Sequence, residues 1–166
     1  MLIKELNRKL ENIIFVAAGG FHCVGLQQDG KVVVWGDNNH GQLAVPENLS
    51  GITAVCAGRC HSLALTHTGR VIAWGSNRFG QVSVPESLGD VVMISAGRYH
   101  SLAMRSNGTV FAWGYNEFGQ CAVPEDLVNT VNICAGEYYS VALKSDGSVV
   151  MWGETTQTKK PATAET

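Results

Sequence analysis

Four stretches of this chain are written in one register: "AAGGFHCVGLQQDGKVVVWG" at 17–36, "CAGRCHSLALTHTGRVIAWG" at 56–75, "SAGRYHSLAMRSNGTVFAWG" at 95–114 and "CAGEYYSVALKSDGSVVMWG" at 134–153. Trp35, Trp74, Trp113 and Trp152 are spaced by 39 residues, as are Gly19, Gly58, Gly97 and Gly136 in the preceding turn. A fixed period of this size means a stack of like supersecondary units, none of which buries its apolar surface alone.

Each copy reads as three short strands. The first, "ITAVCAG" in copy two, is apolar and ends in glycine. The second alternates large and small residues, Leu63-Ala64-Leu65 and its equivalents, with no polar face. Successive side chains point to opposite faces of a strand, so this pattern means a sheet covered on both sides. Asp29-Gly30, Thr68-Gly69, Asn107-Gly108 and Asp146-Gly147 follow, and the Asp-Gly and Asn-Gly pairs predict type I′ hairpins. The third strand ends in Trp-Gly, and its ring is expected to fill the gap between neighbouring units.

The connectors "DNNHGQLAVPENLSG", "SNRFGQVSVPESLGD" and "YNEFGQCAVPEDLVN" predict single helical turns opened by Pro46, Pro85 and Pro124, with Leu49, Leu88 and Leu127 anchored to the core. Glu47, Glu86 and Glu125 suit the positive end of such turns. Small antiparallel sheets at this period, covered on both faces, predict an all-β, propeller-type array of four three-stranded blades, about 10–48, 49–87, 88–126 and 127–153. A parallel β-helix is the rival, disfavoured by the tight hairpins. Residues 1–9 read as a short helical extension and 154–166 as a disordered tail.

Charged residues are 16% of the chain, below the roughly 25% usual for globular proteins, and the net charge is −2. That balance argues against nucleic acid and against an anionic membrane surface as partners. "MLIKELNRKLENI" lacks the pattern of a secretory signal, and no apolar run approaches a membrane span, so a cytoplasmic location is expected. The five cysteines stand where other copies have small or apolar residues and read as free thiols.

His22, His61 and His100 share one register, with Tyr139 in the fourth copy. Ligands must converge on one ion, so residues spread over separate blades read as hydrogen-bonding groups rather than a metal site. No catalytic or cofactor-binding constellation is legible, and the chain is expected to be no enzyme. More informative are Gly20-Phe21, Arg59-Cys60, Arg98-Tyr99 and Glu137-Tyr138, which follow the turn glycine in each copy. They predict a partner-binding strip on one loop face made of Phe21, Arg59, Arg98, Tyr99, Glu137 and Tyr138. His40, Phe79 and Phe118 read instead as rings that plug the connectors into the core.

At "AGRCHSLAL", "NGTVFAWGYNEFGQ" and "VPE" the chain resembles the repeats of the regulator of chromosome condensation (RCC1) family, over about residues 10–153. The short period is most similar to bacterial members, which include a propeller-type inhibitor of β-lactamases. The resemblance implies a β-propeller, typically seven-bladed, that binds other proteins. Four copies would supply half of a seven- or eight-bladed ring, so a homodimer closed through the open blade edges is the alternative to a pure loop-face scaffold; a fragment of a longer repeat protein is a variant of it. Nucleotide exchange on a small GTPase, implied for members carrying an inserted wedge, is disfavoured by the uninterrupted spacing.

Overall fold

The computed structural model describes residues 10–47 and 49–154. The readings of 1–9 as a helix and of 155–166 as a tail lie outside them. Among the described residues twelve strands form four three-stranded antiparallel sheets. Blade 1 holds β1 (Ile13–Ala18), β2 (His22–Gln27) and β3 (Val32–Gly36); blade 2 holds β4 (Ile52–Ala57), β5 (His61–Thr66) and β6 (Val71–Gly75). Blade 3 holds β7 (Val91–Ala96), β8 (His100–Arg105) and β9 (Val110–Gly114), and blade 4 holds β10 (Thr130–Ala135), β11 (Tyr139–Lys144) and β12 (Val149–Gly153). The first strands of successive blades lie side by side, so the sheets fan out from that line as in a half propeller. Among the described residues no helix is long and apolar enough to cross a membrane.

The hairpins between second and third strands differ from the type I′ expectation. Only the glycine takes positive φ, 80° at Gly30 and 75° at Gly69, while Asp29 and its equivalents do not. Gly30 N donates to Gln27 O and Gln27 N to Lys31 O, which makes a three-residue loop closed by a left-handed glycine. The acidic or amide residue before it serves another purpose: Asp29, Asn107 and Asp146 each accept from the backbone N–H two residues on. The proline turns are likewise smaller than a helical turn, a single bond from Leu88 N to Pro85 O and from Leu127 N to Pro124 O. Leu49, Leu88 and Leu127 do pack on the cores between blades.

Those cores sit between sheets. Leu63, Leu65 and Val71 on the forward face of blade 2 meet Val91, Ala103 and Trp113 on the rear face of blade 3. A polar latch joins the same two blades. Ser101 donates to the Gln81 carbonyl at 2.8 Å, and the Trp113 indole donates to that oxygen at 2.9 Å. The serine proton is thereby used, so the 3.1 Å contact between His61 Nε2 and Ser101 Oγ is a bond donated by histidine. That fixes the tautomer and leaves Nδ1 as a buried, unprotonated acceptor without a partner. His100, Ser140, Gln120 and Trp152 repeat the arrangement between blades 3 and 4.

The turn glycine belongs to this latch. A Cβ on Gly97 would strike the His100 ring and the Gly136 carbonyl, so close approach, not backbone conformation, demands glycine here. At the two ends of the stack the equivalent surfaces are open: Val16 is 59% exposed where Val55 is 3%, and Val149 60% where Val71 is 5%.

Burial holds His61 down to about 3, with the His100 and His22 charges adding to the effect, and burial holds His100 down to about 4. Below the ordinary value of 6.5 the unfolded chain takes protons that the folded protein refuses, so stability present above pH 6.5 is lost as pH falls towards 4 and 3. Each histidine should remove up to about 1.4 kcal/mol per pH unit in that window. Urea melts at pH 7, 5.5 and 4.5 should show the decline, and His100→Gln should flatten it. Gly97→Ala should cost roughly 2–3 kcal/mol in the same melts at pH 7, because neither the ring nor the carbonyl has room to retreat.

Candidate functional site: an aromatic and arginine loop face

In a three-stranded antiparallel blade the loop after the first strand and the connector after the third leave at the same end. Here they are tied together. Tyr115 N donates to Tyr99 O at 3.0 Å and Glu154 N to Tyr138 O at 2.9 Å, with Asp37 N to Phe21 O and Ser76 N to Cys60 O in the other blades. The residue after each Trp-Gly is therefore held beside the second residue of the loop pair.

The turns also bond from blade to blade, Gly20 N to Gly58 O at 3.1 Å and Arg59 N and Arg98 N to Arg98 O and Gly136 O at 3.3 Å. They line an open depression of about 430 Å³ whose surface includes Ala57, Gly58 and Gly97 together with Phe21, Arg59, Arg98 and Glu137.

The predicted strip residues come together on this end as a ladder of rings and cations. The Arg59 guanidinium lies 5.1 Å from the Phe21 ring and 5.7 Å from Tyr99, and that of Arg98 lies 5.2 Å from both Tyr99 and Tyr138. Arg98 is also paired with Glu137. Phe21 is half exposed, and Arg59, Tyr99 and Tyr138 are partly buried.

Phe79 and Phe118 correct the expectation that they plug the core. Phe79 packs on Tyr99 at 5.2 Å and Phe118 on Tyr138 at 5.2 Å, which makes both part of the loop face. The reason lies in Gln42, Gln81 and Gln120, which are buried in the role assigned to those rings. Gln81 Oε1 accepts from Phe79 N at 2.9 Å while the Gln81 backbone carbonyl takes the Trp113 and Ser101 protons, so the neighbouring ring is turned outward. His40 is exposed at the same position in blade 1.

Sequence reasoning missed Tyr115 altogether. It sits 4.9 Å from Phe79 and 6.2 Å from Tyr138, joining the two registers into one cluster. Its equivalents are Asp37, Ser76 and Glu154, so no repeat pattern marks it. The hydroxyl donates to Glu117 at 2.6 Å. That bond, reinforced by the carboxylate charge, pushes the Tyr115 pKa up to about 12.

His22, His61 and His100 are spent on bonds between blades, and among the described residues no cluster of three His, Cys, Asp or Glu side chains could hold a metal ion. The Ser–His pairs of the latch are buried, with the Ser101 and Ser140 protons given to backbone carbonyls, whereas the rings, cations and hydroxyls of the face offer contacts for binding.

Three-stranded blades repeated and stacked in this way define a propeller-type repeat protein. The chain belongs to the regulator of chromosome condensation (RCC1) repeat family, whose profile matches residues 13–42, 52–81 and 91–120. Each match runs from the first strand of a blade to the latch glutamine. The chain is similar to human probable E3 ubiquitin-protein ligase HERC3, 43% identical over 44 residues, which are 26% of this chain and 4% of HERC3. The Saccharomyces cerevisiae Prp20p structure superposes with a TM-score of 0.74 at 22% identity, covering 85% of this chain and 45% of that one. Yeast RCC1 (Prp20) with Kap60 bound gives 0.74 at 24%, covering 86% and 44%. This chain therefore spans less than half of these two structures and a small part of HERC3.

Tyrosine absorbance followed from pH 9 to 13 should contain a component near 12 that Glu117→Gln moves back towards 10. Breaking the Arg98–Glu137 pair by Glu137→Gln should change stability by less than about 1 kcal/mol, because Glu137 faces solvent.

Proposed function

We propose that this chain is a non-enzymatic scaffold that binds a protein partner through its loop face. The observation that carries the reading is the continuous patch of Phe21, Arg59, Tyr99, Tyr115 and Tyr138, presented on a rigid stack of sheets. Rings and arginines held in place by neighbours lose little freedom on contact, which is why such residues dominate interface energies. Prp20p is described with binding properties to Gsp1p and histones, and it also forms a complex with Kap60. These relatives support a partner of protein type. The five free thiols are in keeping with a reducing, cytoplasmic setting.

A second reading, self-association into a closed ring, is favoured by the two open faces. The forward face of blade 4 is enlarged, with Tyr139 in the histidine register and Met151 where blades 2 and 3 have Ala73 and Ala112. The rear face of blade 1 is reduced, with Gly25 in place of Ala64 and Ala103. Large on one face and small on the other would let the two surfaces of two copies meet.

Tyr99→Ala with Tyr138→Ala should weaken the complex with a purified partner at least about a hundredfold while leaving the far-ultraviolet circular dichroism unchanged. The partner is the protein captured by the wild-type chain, identified and then titrated against both forms. Undiminished affinity in the double variant would refute the loop-face reading. Light scattering over a dilution series tests the second: a stable dimer supports ring closure, and a monomer that stays soluble at every concentration rejects it.

A further inference from the structure

The charges around the rings restrict what the loop face can take. Arg59 and Arg78 each lie over a ring, 5.1 Å from Phe21 and 5.5 Å from Phe79, and among the described residues neither reaches a carboxylate. The acids of the face are engaged internally or lie elsewhere. Asp37 accepts from the Asn39 and Gln42 amides, Glu117 from the Tyr115 hydroxyl, and Glu137 pairs with Arg98. Glu154 stands at the end of blade 4, whereas both uncommitted arginines belong to blade 2 and its connector. The wall around Arg59 and Arg78 thus carries two cations and no carboxylate.

Between those arginines and the rings lies a crevice of about 230 Å³, lined by Arg59, Arg78, Phe79, Tyr99, Tyr115 and Tyr138 among others, with no acidic side chain in its wall. Its tyrosine and phenylalanine edges offer an apolar seat next to two guanidinium groups that no carboxylate pairs among the described residues. The steps of 5.1, 5.7 and 6.4 Å from Phe21 through Arg59 and Tyr99 to Tyr138 limit the ladder to about 17 Å, the reach of roughly five extended residues.

We propose that the occupant of this crevice is an extended acidic peptide segment, with a carboxylate between Arg59 and Arg78 and an adjacent proline against Phe79, Tyr99 and Tyr115. The proposal rests on the loop-face reading and names its ligand class. Arginine forks match carboxylates, and proline enters aromatic grooves already extended, at a small cost in entropy. Single-stranded nucleic acid fits less well. The rings meet one another tilted or edge to face at 44–72°, with guanidinium groups over several of them, so few flat faces are left for bases.

The test is fluorescence polarisation with the full chain and a labelled ten-residue peptide of alternating Glu and Pro. Gln-Pro, Lys-Pro and Glu-Ser peptides of equal length and a ten-residue oligothymidylate serve as comparisons. Saturable binding of Glu-Pro is expected, with about a tenfold loss for Gln-Pro and for the variants Arg59→Gln and Arg78→Gln. Arg78 is exposed, so its variant remains informative if Arg59→Gln fails to fold. Absence of Glu-Pro binding, or preference for Lys-Pro or the oligothymidylate, overturns the proposal. Equal binding of Gln-Pro that is lost in Tyr99→Ala overturns the acidic chemistry and leaves the loop-face reading standing. Glu-Pro binding indifferent to Tyr99→Ala and Arg78→Gln overturns both.

Discussion

The Gln81 carbonyl accepts from Ser101 and Trp113 of blade 3, and Ser101 accepts the Nε2 proton of His61 from blade 2. Around that polar junction Leu63, Leu65 and Val71 close on Ala103 and Trp113. Each half of the contact belongs to a different repeat, so a sheet of three short strands gains its core only from its neighbour. The repetition in the sequence follows from that dependence. Small residues at the glycine and alanine registers let the sheets approach, and a large ring at the tryptophan register fills what remains.

The same contact sets the loop face. Burial of the connector glutamine turns the adjacent ring outward, and the bond from the residue after Trp-Gly back to the first loop fixes where the rings meet. Stack and face are therefore one construction: the latch that joins blades also aims Phe79, Phe118 and Tyr115. A surface organised in this way keeps its geometry without a ligand, which favours recognition over chemistry.

Much of the fold was legible because period, strand patterning and turn glycines all point to one answer. The blades, the role of tryptophan between them and the common side of the six predicted strip residues could be read from spacing alone. The hairpin type could not, because Asp-Gly suits both a two-residue and a three-residue loop; only the bond from Gln27 to Lys31 decides. Phe79 and Phe118 were misassigned because an apolar ring beside a glutamine looks like the buried partner, and here the amide is buried instead. Tyr115 carries no repeat signal, and its place in the cluster comes from a cross-loop hydrogen bond that sequence does not display.

The central claim is that each blade is coupled to the next through the latch and not to blades farther away. A double-mutant cycle measures it directly, pairing His61→Phe with Ser101→Ala, and His61→Phe with Ser140→Ala as the distant comparison. The account predicts a coupling of about 1 kcal/mol for the adjacent pair and none within error for the distant one. Equal couplings, or none between His61 and Ser101, would contradict it.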